Sequence, residues 1–300
     1  SAPGWGTSPP VTAMVRRAML PRMSDAPRML VLLPNWLGDV AMATPALRAL
    51  HHGHPDTRLS VAGRAAGCAL LAGLPYIAQR LPIDHRPGWR GLRAAARELA
   101  PHARDGAVVL SHSFRTALLA RWTGAPRRVG LAANGRGLLL TDAVPRHREN
   151  GRRQPRYTAL EFLRVAEAAG GQPDDAGLAL AVEEEAVARV QAALDGAGPL
   201  VGLVPGAAFG PSKQWPPERF AAVADALVAE YGARVLLLHG PDEAAVADAV
   251  AAHACTPLLR LPGPPSVAQL KAAVSLLDLM VSNDTGPRHL AVAFGVPVIC

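Results

Sequence analysis

Ser282-Asn-Asp-Thr-Gly-Pro-Arg-His289 follows the apolar run 276–281 and opens the apolar stretch 290–294. A buried strand, a tight acidic loop and a helix start make a βα junction. Free backbone N–H groups and the positive end of the helix dipole there can meet phosphate. Asp284 and Thr285 are placed to cap the helix, Gly286 lets backbone approach a ligand, and His289 lies one turn in, facing back toward the loop. A capped turn without a ligand accounts for the same residues. The surrounding chain and its further loops decide between these readings.

Outward from that junction, strands and helices alternate. The first half predicts strands at 28–33, 59–62, 80–83, 107–110 and 127–131. Helices are expected at 40–51, 65–71, 92–100, 114–122 and 157–169. The second half restarts the pattern, with strands at 200–204, 235–238, 258–261, 276–281 and 296–299. Its helices are expected at 182–194, 216–230, 243–252, 267–274 and 288–294. Such βαβ alternation gives parallel sheets covered on both faces, with ligand crevices at the carboxyl ends of the strands. The alternation reads as α/β, two successive parallel-sheet units of similar architecture, and two such domains facing each other would place a crevice between them. Residues 1–27 are rich in Pro, Ser, Gly and Arg without periodicity and are expected to be a disordered leader. Residues 28–172 form the first domain and 173–300 the second. The stretch 170–177 is a linker, and 145–156 a basic connecting loop. The last strand lacks the usual covering helix, so the second domain is expected to be truncated.

The 300 residues carry 31 Lys plus Arg against 24 Asp plus Glu, a net charge of +7 supplied almost wholly by arginine. That balance suits an anionic partner such as a phosphorylated sugar, nucleic acid or negative membrane surface, and arginine richness also follows from biased base composition. No nucleic-acid reader motif or aromatic platform accompanies it. Cys68, Cys255 and Cys300 have no metal-ligand spacing and read as buried thiols in a reducing compartment. No apolar run approaches the roughly 20 residues of a spanning helix. The expected location is the cytoplasm, with peripheral contact at a membrane surface.

Three more loops carry chemistry. Pro34-Asn-Trp-Leu-Gly-Asp39 follows the first strand; Gly38 permits a tight turn, and Asp39 is either a helix cap or a general base. The single glycine departs from the dinucleotide fingerprint. The glycine-rich loop 205–216 ends in Ser212, Lys213 and a helix begun by Pro216 or Pro217. It lacks the order of a Walker loop; N–H groups plus a lysine suit a diphosphate, and a Gly/Pro turn with a solvated lysine accounts for the same residues. Asp242, in the loop 239–243, bonds a ribose diol or caps the following helix. No Asp-x-Asp pair or His/Asp/Glu cluster stands at metal-ligand spacing, so no metal or cofactor is expected.

Taken jointly, the motifs P-N-W-L-G-D (34–39), S-F-R-T-A-L (113–118), R-R-V-G (127–130), R-Y-T-A-L (156–160), P-G-A-A-F-G-P-S-K-Q-W-P (205–216) and S-N-D-T-G-P-R-H (282–289) resemble the ADP-heptose:lipopolysaccharide heptosyltransferases, glycosyltransferase family 9. The resemblance runs from about residue 28 to residue 300. It implies a GT-B fold, two Rossmann-like doubly wound parallel-sheet domains facing a central cleft, and an inverting, metal-independent transfer of heptose from ADP-heptose to the heptose/Kdo inner core of lipopolysaccharide. Asp39 would be the base, with Gly38 beside it. Ser212 and Lys213 would hold the diphosphate and Asp242 the ribose. Asp284, Thr285, Gly286 and His289 would grip the heptose and diphosphate. Asn35, Arg64, Arg115, Arg127, Arg128 and Arg136, in or near loops of the first half, would meet the acidic Kdo-lipid A acceptor. The competing expectations are a sugar-nucleotide epimerase of the same architecture, which needs no acceptor, and a non-catalytic sugar-nucleotide-binding homologue.

Overall fold

The computed structural model describes residues 26–83, 88–149, 152–153, 157–207, 210–263 and 265–300. The expected leader, apart from residues 26 and 27, and Arg156 lie outside the described residues.

The first half runs β1 (Arg28–Leu32), α1 (Leu37–Met42), α2 (Thr44–Gly53), β2 (Arg58–Gly63), α3 (Ala65–Leu70), β3 (Gln79–Pro82), α4 (Gly88–Leu99), β4 (Gly106–Val109), α5 (Phe114–Trp122), β5 (Arg128–Leu131) and β6 (Asp142–Val144). A two-stranded antiparallel hairpin, β7 (Arg148–Glu149) and β8 (Arg152–Arg153), occupies part of the expected basic loop and leads to α6 (Thr158–Ala168). The second half runs α7 (Glu184–Ala193), β9 (Leu200–Val204), α8 (Pro217–Tyr231), β10 (Arg234–Leu237), α9 (Ala244–His253), α10 (Val267–Ser275), β11 (Leu279–Ser282), α11 (Pro287–Ala293) and β12 (Val298–Ile299).

The first sheet has the order β3-β2-β1-β4-β5-β6 and is parallel throughout. The second, β10-β9-β11-β12, is also parallel. In each sheet the chain winds outward first to one side and then to the other, and adjacent crossovers diverge at the switch point. The loop after β1 opens at one switch point, between β1 and β4. The loops after β9 and β11 open together at the other.

Three local departures from the expected elements have physical causes. The helix expected over 40–51 is interrupted at Ala43, because Pro45 has no N–H to offer the Ala41 carbonyl. Thr44 Oγ1 donates to that carbonyl instead, at 2.8 Å. The strand expected at 258–261 shrinks to a single bridge between Leu236 and Leu259. Pro257 and Pro262 bracket it and cannot extend a ladder. The edge strand β6 was not expected; at three residues it is too short to show alternation. The thiols also differ from expectation. Cys68 is buried, but Cys255 and Cys300 are exposed, Cys255 in the surface turn after α9 where its N–H donates to Asp225; all three are free.

The halves are packed against each other by helices. α1 lies on α11 and α3 on α10. Lys271 of α10, only 1% exposed, donates to the Ala72 carbonyl just after α3 at 2.9 Å. The connecting segment is held against α2, where Arg48 makes paired hydrogen bonds to Asp174 at 2.6 and 2.7 Å and a third to the Gly177 carbonyl.

Candidate functional site

A cavity of about 700 Å³ lies between the domains, walled by α1 on one side and by the loops after β9, β10 and β11 on the other. Gly38, Asp39, Lys213, Asp284, Thr285, Gly286 and His289 all line it, although they come from regions 250 residues apart. Trp36, Thr158, His239, Glu243 and Arg288 complete the polar and aromatic wall, while Leu238, Pro265, Val267 and Leu270 form an apolar floor at the second domain's end.

The acidic loop does not cap its helix. The N-cap of α11 is Gly286, with no side-chain cap bond. Asp284 instead pairs with Lys213 Nζ at 2.7 Å and with Arg288 Nη2 at 2.7 Å. The bond from Lys213, then the nearby Arg288, hold its carboxyl below the ordinary aspartate range. His289 is buried beneath them, and burial first, Arg288 second, push its pKa down to about 4. The imidazole is therefore neutral at ordinary pH and acts as a hydrogen-bonding group rather than a cation.

Asn283 fixes the lysine loop. Its Oδ1 accepts from the Trp215 N–H at 3.1 Å and its Nδ2 donates to the Pro205 carbonyl at 2.7 Å. One buried amide thus ties both ends of the 205–216 loop to β11, using donor and acceptor at once. Ser212 is exposed and is not among the cavity-lining side chains.

Asp39 is not the cap either; the N-cap of α1 is Trp36, with no side-chain cap bond. The carboxyl is half-buried at the cavity wall, and desolvation raises its pKa above 3.8. In the third loop the acids exchange places. Asp242 is exposed outside the cavity, whereas Glu243 lines it and accepts from the Gly240 N–H at 2.8 Å. A Cβ on Gly206 would fall within 2.1–2.5 Å of the Glu243 carboxylate oxygens, so this glycine makes the room the acid occupies.

The expected acceptor residues divide. Asn35 and Arg64 are exposed at the carboxyl ends of β1 and β2, and Arg115 is partly exposed at the start of α5. Arg127 and Arg128 lie at the opposite, amino end of β5. Arg127 donates to the Ala168 carbonyl at 2.6 Å, and Arg128 to those of Leu139 and Ala125 at 2.9 and 2.6 Å. Arg136 is fully buried, its guanidinium bound to the carbonyls of Leu131 and Ser111. These three arginines hold the first domain together rather than face the cleft. Asn283, Arg288 and Glu243 were not singled out from sequence. The first two stand within the 282–289 motif, and Glu243 is adjacent to Asp242. Among the described residues, no group of three or more His, Cys, Asp or Glu side chains could hold a metal ion.

Two parallel-sheet domains closing on a cleft lined by a lysine loop and an acidic loop have the GT-B architecture of nucleotide-sugar transferases. A family model described as glycosyltransferase family 9 (heptosyltransferase) matches residues 92–300. Lipopolysaccharide heptosyltransferase 2 of Salmonella typhimurium is 29% identical over 283 residues, covering 91% of this chain and 81% of that protein. A glycosyl transferase family 9 protein from Veillonella parvula superposes with a TM-score of 0.80 at 27% identity, over 92% of this chain and 80% of that one. ADP-heptose lps heptosyltransferase II of E. coli gives a TM-score of 0.78 at 25% identity, over 90% and 83%. The chain belongs to glycosyltransferase family 9, the heptosyltransferases.

Proposed function

We propose that this protein transfers heptose from ADP-L-glycero-D-manno-heptose to the heptose/Kdo inner core of lipopolysaccharide, with inversion and without a divalent metal or other cofactor. The observation that carries the reading is the single cavity lined by a desolvated carboxylate, Asp39, and by the cations Lys213 and Arg288. An acceptor hydroxyl attacks the anomeric carbon and passes its proton to Asp39. The bond from that carbon to the diphosphate oxygen breaks, and ADP leaves with the electron pair. One displacement of this kind inverts the centre. Lys213 and Arg288 neutralise the charge gathering on the diphosphate, which a divalent cation would otherwise do. Asp284 engages both cations at 2.7 Å and so keeps them oriented toward the position the diphosphate takes. Neutral His289 donates or accepts a hydrogen bond to the sugar or phosphate, with Thr285 and Gly286 beside it. Glu243, rather than Asp242, faces the cavity and suits the ribose diol, and the apolar floor suits the adenine. Asn35, Arg64 and Arg115 remain the acceptor-facing groups of the first domain.

The test incubates the protein with ADP-heptose and truncated core acceptors, in the presence and absence of EDTA, following ADP release and product mass. The expected result is acceptor-dependent ADP release, a product heavier by one heptose with the opposite anomeric configuration, and no effect of the chelator. Conversion of donor without acceptor would instead identify an epimerase. Donor binding without turnover would identify a non-catalytic homologue, and loss of rate in EDTA would refute metal independence.

A further inference from the structure

The outer side of α4 is a second surface with distinctive chemistry. At 100° per residue, Trp89, Arg93, Arg97 and Arg90 fall within an arc of about 100°. All four are exposed, Trp89 to 65%. Leu92, Ala95, Ala96 and Leu99 fill the buried arc. Glu98, the one acid of α4, lies outside the arginine arc.

Helix α5 fixes this face. The Trp89 and Trp122 rings meet edge-on at 6.1 Å, the Arg93 guanidinium lies 5.1 Å from the Trp122 ring, and Arg115 reaches the Gly88 carbonyl at 3.4 Å. At the carboxyl end of the first sheet, three successive connections each leave one large apolar side chain in solvent. These are Trp89 at the start of α4, Phe114 at the start of α5, and Leu138 after β5, the last 96% exposed. Fixed cations beside exposed aromatic and aliphatic groups are what an interfacial protein presents to a bilayer with negative headgroups. A nucleic-acid backbone would satisfy the arginines but would leave Leu138 and Phe114 without a use. Among the described residues, no helix is long and apolar enough to cross a membrane, so contact here would be at the surface.

We propose that the α4–α5 face is a docking surface for an anionic lipid bilayer. Arg90, Arg93 and Arg97 pair with headgroup phosphates, and Trp89, Phe114 and Leu138 enter the interface. This end of the sheet also carries the loops that wall the cavity, so a bilayer-anchored acceptor would present its sugars to Asp39. In that respect the inference rests on the proposed function.

The test is sedimentation of the full chain with vesicles of phosphatidylethanolamine and phosphatidylglycerol, and with neutral phosphatidylcholine vesicles. Binding is expected to the anionic vesicles only, weakening as salt is raised. The double variant Arg90→Gln, Arg97→Gln should bind about thirtyfold more weakly, from the usual contribution of each basic residue near an anionic surface. Trp89→Ala, with every charge kept, should also weaken binding. Transfer to a deacylated, soluble acceptor should be unchanged in these variants, whereas transfer to vesicle-borne acceptor should fall. Equal vesicle binding by wild type and the double variant would overturn the proposal, as would equal affinity for neutral vesicles or displacement from vesicles by duplex DNA at matched phosphate. Failure of the wild type to use any acceptor while still binding anionic vesicles would refute the transferase reading and leave the surface standing.

Discussion

Gly38 and Gly286 meet backbone to backbone across the two domains. A Cβ on Gly38 would lie 2.9 Å from Gly286 Cα and 3.0 Å from His289 Cδ2, and one on Gly286 would lie 3.2 Å from Gly38 N. Gly286 has φ −52° and ψ −47°, open to any residue, so it is space and not conformational freedom that calls for glycine. Their contact brings the amino ends of α1 and α11 together and sets Asp39 and His289 in one cavity.

Gly38→Ala should therefore push α1 away from α11, at a cost of about 1–3 kcal/mol from overpacking. Steady-state kinetics should show kcat/KM reduced more than in Gly286→Ala, where the clash is milder. Wild-type kinetics and melting temperature in Gly38→Ala would show that the close approach is not required.

Replacing Asp39 separates chemistry from binding. Asp39→Asn should lower kcat by about 10²–10⁴, the usual contribution of a general base, while calorimetric affinity for ADP stays within about twofold. Because burial raises this carboxyl, kcat/KM should fall on the acid side at a pH above the ordinary aspartate range. Retention of the same acid limb in the residual activity of Asp39→Asn would assign it to another group.

Lys213→Ala should reduce kcat/KM by about 10²–10³, as loss of a charge-stabilising group does in a desolvated site. Lys213→Arg should recover only part, since a planar guanidinium does not place its charge where the ammonium sits. Full recovery would mean that only net positive charge matters there.

Asn283→Ala removes the tie between β11 and the lysine loop. It strands the Pro205 carbonyl and the Trp215 N–H, each at a cost of about 1–3 kcal/mol if left unsatisfied. The melting temperature should fall and the donor KM rise together. A KM change with unaltered melting temperature would point to a direct contact with the donor instead.

His289 makes stability depend on pH. Its pKa falls from 6.5 unfolded to about 4 folded. Between those values the unfolded chain holds more protons, so stability is fully present above 6.5 and is lost as pH drops through 4. The loss is on the order of 3 kcal/mol. Asp39, shifted upward, acts with opposite sign over part of this range, so the measurement is the difference between wild type and His289→Asn in urea titrations. A difference that stays constant from neutral pH to pH 4 would remove the assignment.

Helix α5 and strand β9 could be bounded from the chain alone, because each is an uninterrupted pattern bounded by turn residues. Asp39, Lys213 and the 282–289 motif were likewise legible as loops following strands. The choice between Asp242 and Glu243 was not, because neighbouring residues share every sequence signal and differ only in which way the turn directs them. Arg136 misled for a similar reason: an arginine between Gly135 and Gly137 reads as a surface loop, yet it folds inward onto the carbonyls of Leu131 and Ser111.

The order of apolar runs and turn residues by itself determined two parallel α/β units and the loops that carry their chemistry, since periodicity and backbone restriction act over a few residues. Only the tertiary structure decided that Gly38 faces Gly286, that Asn283 anchors the lysine loop, and that Arg127, Arg128 and Arg136 serve the fold and not the cleft. Those facts depend on packing between residues far apart in the chain, where close contact and burial, not local propensity, select the partner.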